Sequence, residues 1–148
     1  MSGEQTKTSR VGVNLKRVSP VHYEVTNGRG STISVGHGDD VFSPVELLLA
    51  AVGACSSIDV DVVTTRRADP EKFDVSIAGD VEKGPEGNRV KDVDLNFSLS
   101  FPDTDEGRTA QSLVARLVKL SHDKDCTVGR TVMLPTKLHS AVDGEVVA

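Results

Sequence analysis

Cys55 and Cys126 are the only two thiols among 148 residues, and their chemistry is the first to weigh. A thiolate attacks a peroxide or a disulfide, and a second thiol can then resolve the oxidised sulfur. Cys55 lies in Gly53-Ala-Cys-Ser-Ser57, where small neighbours let a backbone or a ligand approach closely. Cys126 lies in Ser121-His-Asp-Lys-Asp-Cys-Thr-Val128, a polar stretch between two elements. Each also fits a plain role, Cys55 as a packed core thiol and Cys126 as an incidental loop thiol. A reactive thiolate needs a cation to lower its pKa. Arg29, in the turn Asn27-Gly-Arg-Gly30, and Arg10 are the candidates. A carboxylate orients such an arginine through paired hydrogen bonds. Glu46 can do so, and it fits equally the capping box of Ser43-Pro-Val-Glu46.

Other chemistries find less support. Of the four histidines only His122 shows a ligand-like spacing, to Cys126, and the third and fourth ligands of a zinc site are missing. No phosphate-binding loop and no nucleophile elbow is present, so neither a cofactor nor a metal is expected. The net charge is −5, and the longest basic run is Arg66-Arg67, which argues against a nucleic-acid partner. Two cysteines are too few for a secreted disulfide scaffold. The first eight residues are polar, without the apolar core of a signal peptide. The longest uninterrupted apolar run, Leu47 to Val52, falls short of the roughly 20 residues that cross a bilayer. A cytoplasmic protein without a membrane partner is therefore expected.

The elements that must position the thiols follow from periodicity. Residues 1–9 read as a frayed, disordered tail, and residues 10–148 as one domain. Val11, Val13 and Leu15 alternate with polar residues in a strand with one wet face. Ser19-Pro20 ends it, Val21 to Thr26 forms a second strand, Asn27-Gly28 turns the chain, and Ser31 to Val35 forms a third. Ser43 as N-cap and Pro44 as first residue open a helix predicted to run to about Arg67. Its first half is apolar on every side, which predicts burial all round, under a sheet or against a partner chain. Phe73, Val75 and Ile77 begin a strand that turns at Gly84-Pro-Glu-Gly-Asn88. Val93, Leu95, Phe97, Leu99 and Phe101 mark the inner face of the next. Thr104 to about Lys124 is a second helix with the stripe Leu113, Val114, Leu117, Val118 and Ser121. A last strand is predicted over Thr131 to Leu138. The order β-β-β-α-β-β-α-β is an α+β fold, not a parallel nucleotide-binding sheet.

Helix geometry constrains Glu46. It precedes Cys55 by nine residues, about 13 Å along the axis and on the opposite face. The two can meet only if a second copy packs its helix antiparallel across the first. A catalytic Glu46 thus predicts a homodimer with composite sites.

The block Ser43-Pro-Val-Glu-Leu-Leu-Leu-Ala-Ala-Val-Gly-Ala-Cys-Ser-Ser-Ile-Asp59, with Leu120-Ser-x-x-x-x-Cys126-Thr-Val and Thr26-Asn-Gly-Arg-Gly30, resembles the OsmC/Ohr family. The likeness covers nearly the whole chain and is nearer the less characterised branch with the pattern P-x-E-L-L-L. It implies an intertwined homodimer, with two long central helices wrapped by antiparallel sheets. It also implies a thiol-dependent peroxidase that reduces organic hydroperoxides in oxidative or osmotic stress defence. By this resemblance Cys55 is the peroxidatic thiolate, Cys126 resolves it as a disulfide, Arg29 stabilises the thiolate and Glu46 holds Arg29. The reductant is a dithiol such as a lipoyl group on a partner protein. Two positions depart from the peroxidase pattern: Val45 stands where those members carry their glutamate, and Thr127 where many carry proline. The alternative is a non-catalytic redox sensor, or a binding protein for a small apolar ligand with Leu47, Leu48 and Val52 in its pocket.

Overall fold

The computed structural model describes residues 3–148. It divides within the first helix into two units, one ending at Leu47 and one beginning at Leu48. Residues 1 and 2 of the expected tail lie outside the described residues; residues 3–12 carry no regular secondary structure and are exposed.

The first unit is a three-stranded antiparallel meander of β1 (Val13–Ser19), β2 (His22–Asn27) and β3 (Thr32–Gly36), in that spatial order. Asn27 builds the second turn: its Oδ1 accepts from the backbone N–H of Arg29 and of Ser31, both at 3.0 Å. This is the local bonding that makes asparagine a turn residue. The first turn uses Val21 at φ 56°, a left-handed conformation that costs a β-branched residue about 1–2 kcal/mol. The alternation expected of β1 is present, but both faces are open. Val13, Leu15 and Val18 are all exposed, so the expected dry face is uncovered within the first unit, among the described residues.

Helix α1 (Pro44–Thr64) crosses from one unit to the other. It stops three residues short of the expected Arg67, with a few turn residues after it. In the second unit, β4 (Lys72–Gly84) and β5 (Gly87–Ser100) form a long hairpin closed by Pro85 and Glu86. The register slips at Gly79, between Ala78 and Asp80. Phe73, Val75, Ile77 on β4 and Val93, Leu95, Phe97 on β5 face inward, as their period-2 pattern requires. α1 lies on this face: a Cβ on Gly53 would strike Ile77 Cδ1, and one on Gly79 would touch Leu49 at 3.4 Å.

Within this one chain α1 is buried on one side only. Val52, Gly53, Ser56, Val60 and Thr64 are buried, whereas Leu48, Ala51, Ala54, Ile58 and Val62 form an exposed apolar stripe. The reason is layer count: the hairpin covers one side of the helix and no described residue covers this one. By length and composition alone the 21-residue helix could cross a membrane. It carries Asp59 and Asp61, however, and its inner face is taken up by the hairpin.

Helix α2 (Asp105–Leu120) starts at Thr104, whose side chain accepts from Gly107 N–H at 3.0 Å. Its α-helical bonding ends before the expected Lys124. The turn Ser121–Asp125 is π-helical, closed by the Cys126 N–H on Ser121 C=O at 2.9 Å. The strand expected over Thr131–Leu138 is absent. Instead α3 spans Thr127–Met133, and residues 134–140 are irregular. Thr127, Val128, Thr131 and Val132 favour strand, but tertiary context overrides so weak a preference. Cys126 caps the turn, Thr131 Oγ1 donates to Thr127 C=O at 2.7 Å, and Arg130 Nη1 donates back to Asp123 C=O at 3.0 Å. A small terminal hairpin, β6 (Ala141–Val142) and β7 (Glu145–Val146), turns at Asp143-Gly144. Both turn residues have positive φ, the pair that such a two-residue turn demands.

Candidate thiol site

The second unit brings the two cysteines together although they lie 71 positions apart in sequence. Cys55 sits on α1 at half-burial, while Cys126 is 2% exposed at the junction between the π-turn and α3. Burial pushes the Cys126 thiol above its ordinary pKa; the N–H of Gly129, donated to Sγ at 3.1 Å, opposes this. The adjacent Cys55 thiol and the Asp59 carboxylate push it further up.

Ser121 is hydrogen-bonded to both segments that carry the cysteines. Ser121 is fully buried. Its Oγ lies 2.7 Å from Asp59 Oδ2 and 3.1 Å from Ser56 Oγ, and its backbone C=O takes the Cys126 N–H. Ser56 follows Cys55 directly, and Asp59 follows it by one helical turn, on the same side of α1. The hydroxyl proton goes to the carboxylate, a charge-assisted bond and the strongest contact of the three. Ser56 and Asp59 are the site residues that the sequence reading leaves without a role. The only available signal is their place beside Cys55, in the block Cys55-Ser-Ser-Ile-Asp59.

Beside this cluster lies a cavity of about 620 Å³, walled by Val52, Val93, Leu95, Phe97, Val132 and Met133, with Ser56 and Cys126 among its polar lining. Lys119, His122 and Asp123 also line it, and Lys119 donates to Asp123 Oδ2 at 2.5 Å. His122 and Cys126 thus share a wall, but among the described residues no group of three potential metal ligands converges.

Arg29 and Glu46 belong to the first unit. Arg29 is exposed in the β2–β3 turn. Glu46 closes the expected capping box: Ser43 N–H donates to its Oε1 at 3.0 Å and Glu46 N–H donates to Ser43 Oγ at 3.1 Å. These bonds, the backbone one first, hold its carboxyl below the usual glutamate value. Among the described residues no ion pair joins Glu46 to Arg29.

The chain is similar to an uncharacterized protein of Mycobacterium tuberculosis, 30% identical over 131 residues, which are 86% of this chain and 93% of that protein. A crystal structure of a hypothetical protein from Aquifex aeolicus superposes with TM-score 0.69 at 21% identity, covering 85% and 89% of the two chains. An organic hydroperoxide resistance protein OsmC from Legionella pneumophila shares the fold with TM-score 0.55 at 16% identity, covering 84% and 91%. The sequence profile of the OsmC-like proteins matches residues 36–140, a span that holds both cysteines, the Ser121 cluster and the cavity walls. The chain belongs to the OsmC-like protein family.

Proposed function

We propose that the protein is a thiol-dependent peroxidase that reduces organic hydroperoxides in cytoplasmic stress defence, with residues 10–148 acting as one domain in a homodimer. The observation that carries this reading is the approach of Cys55 to Cys126, which itself lines an apolar cavity that Cys55 does not. The Cys55 thiolate attacks the O–O bond of the hydroperoxide, forming a sulfenic acid and releasing the alcohol. Cys126 then attacks that sulfur, and the sulfenic oxygen leaves as water. An external dithiol, such as a lipoyl group, returns both cysteines to thiols. Cys126 suits the second role, because a thiol kept protonated does not compete for the peroxide. The hydroperoxide resistance protein of Legionella pneumophila with the same fold supports the assignment of substrate class.

The dimer accounts for two features that one chain leaves open. It covers the Leu48–Val62 stripe of α1, and it lets a second copy bring Arg29 and Glu46 to Cys55. Glu46 keeps Oε2 for such an arginine, since the cap uses Oε1. Steady-state turnover of cumene hydroperoxide tests the reading. Cys55→Ser abolishes it and Cys126→Ser stops at the sulfenic acid; a Cys55→Ser variant with full activity overturns the mechanism.

The alternative, a redox sensor or a binder of a small apolar ligand, draws on two observations. Val52 does line the cavity, with Phe97 and Met133, although Leu47 and Leu48 do not. Asp59 also places a negative charge beside the thiols. Oxidation without turnover, together with a retained apolar ligand, decides for it.

A further inference from the structure

We propose that Ser121 is a positioning residue for the cysteine pair: its side chain, latched to Asp59 and Ser56, sets the distance over which Cys126 reaches Cys55. The inference rests on the two-thiol reading above only in taking the pair to close as a disulfide.

The argument is one of connectivity. α1 carries Cys55, and the chain after α2 carries Cys126. Disulfide bonding tolerates a Cβ–Cβ separation of about 3.5–4.5 Å, so a small slide of one element along the other removes the pair from reach. Hydrophobic contacts along α1 are non-directional and fix such a slide less sharply than hydrogen bonds do. Ser121 supplies such bonds. Its Oγ bonds Asp59 and Ser56, on either side of the turn that starts at Cys55. Its carbonyl closes the wider π-turn on the Cys126 N–H. One buried residue therefore ties both cysteines through three bonds, and it lies where an extra residue per turn re-aims the chain. Alanine at 121 keeps the carbonyl bond and removes both side-chain bonds.

The readout is the effective molarity of the pair against oxidised glutathione. In that exchange two protein thiols become a disulfide and one glutathione disulfide becomes two glutathione thiols. No peroxide enters, so the outcome is independent of whether the protein is a peroxidase. With the charge-assisted bond gone, the two segments no longer favour the closing position, and Ser121→Ala is expected to lower the effective molarity by about tenfold. The alkylation rate of Cys55 in a Cys126→Ser background, which reports the local state of α1, stays unchanged. Asp59→Ala gives the same loss, and it carries the test should Ser121→Ala fail to fold, because Asp59 is only half-buried. Asp59→Asn, which retains an acceptor oxygen but not the charge, recovers part of that loss. An effective molarity within roughly threefold of the original in Ser121→Ala or Asp59→Ala, a change of about 0.6 kcal/mol, overturns the proposal. Equal losses in Asp59→Ala and Asp59→Asn overturn the role of the Ser121–Asp59 bond. Failure of the pair to oxidise at all in the unsubstituted protein removes the disulfide reading instead.

Discussion

Ser43 and Glu46 cap the first turn of α1 reciprocally, each donating its backbone N–H to the other's side chain. This satisfies donors that a helix start leaves without partners. Ser43→Ala is expected to cost about 1 kcal/mol in a denaturant melt. Because the bonds hold the Glu46 carboxyl below its ordinary 4.5, its ionised form stabilises the fold. That contribution is complete above the ordinary value and is lost as pH falls through the lowered one. Melts of Glu46→Gln should therefore sit below the unsubstituted protein at pH 7 and approach it as pH falls below the ordinary glutamate value. A gap that widens in acid contradicts this sign.

The two thiols should react in a fixed order. Cys55 is half-buried, whereas Cys126 is buried, and burial raises its pKa. Timed alkylation followed by peptide mapping should find Cys55 modified first. In a Cys55→Ser background the alkylation of Cys126 should set in at a pH above that of an ordinary cysteine. Adding Asp59→Asn should move that onset down, since a neighbouring negative charge is removed. Modification of Cys126 before Cys55 is the contrary result.

At Gly53 α1 runs close against β4. A Cβ there would collide with Ile77 Cδ1 and stand 2.7 Å from Cγ1. Gly53→Val should cost about 1–3 kcal/mol through overpacking. Ile77→Ala in the same chain should return part of that loss, because the two sites share the space. Strict additivity of the two costs would show that they do not touch.

The exposed stripe of α1 predicts self-association. Ile58 is 60% exposed in the single chain, and a glutamate in its place would put a charge in the middle of an apolar interface. Sedimentation should show a dimer for the unsubstituted protein and a monomer for Ile58→Glu. A protein that is monomeric without substitution removes the composite site.

Much of this was legible in the sequence because local signals and tertiary demands agree there. Ser43-Pro44, Asn27-Gly28 and the alternation from Val93 to Leu99 each name a structure that is found. The expected strand at Thr131 is wrong because β-branched propensity is weaker than a cap at Cys126 and a tie from Arg130 to Asp123. The all-apolar start of α1 says that the helix must be covered, but not by which chain. Asp143-Gly144 carried a turn signal that would have found the terminal hairpin. The bonds of Ser121 to α1 were not legible, since Ser56 and Asp59 lie more than sixty positions away from it and a serine on an apolar stripe carries no periodic signature.

The most direct test of the account is the loss of free thiols when the reduced protein is titrated with cumene hydroperoxide and, separately, with hydrogen peroxide. Two thiols should disappear per molecule of organic peroxide, rapidly, with hydrogen peroxide reacting slowly and Cys55→Ser not reacting. Thiols left untouched by both peroxides would contradict the peroxidase and make the cavity beside Cys126 the seat of function.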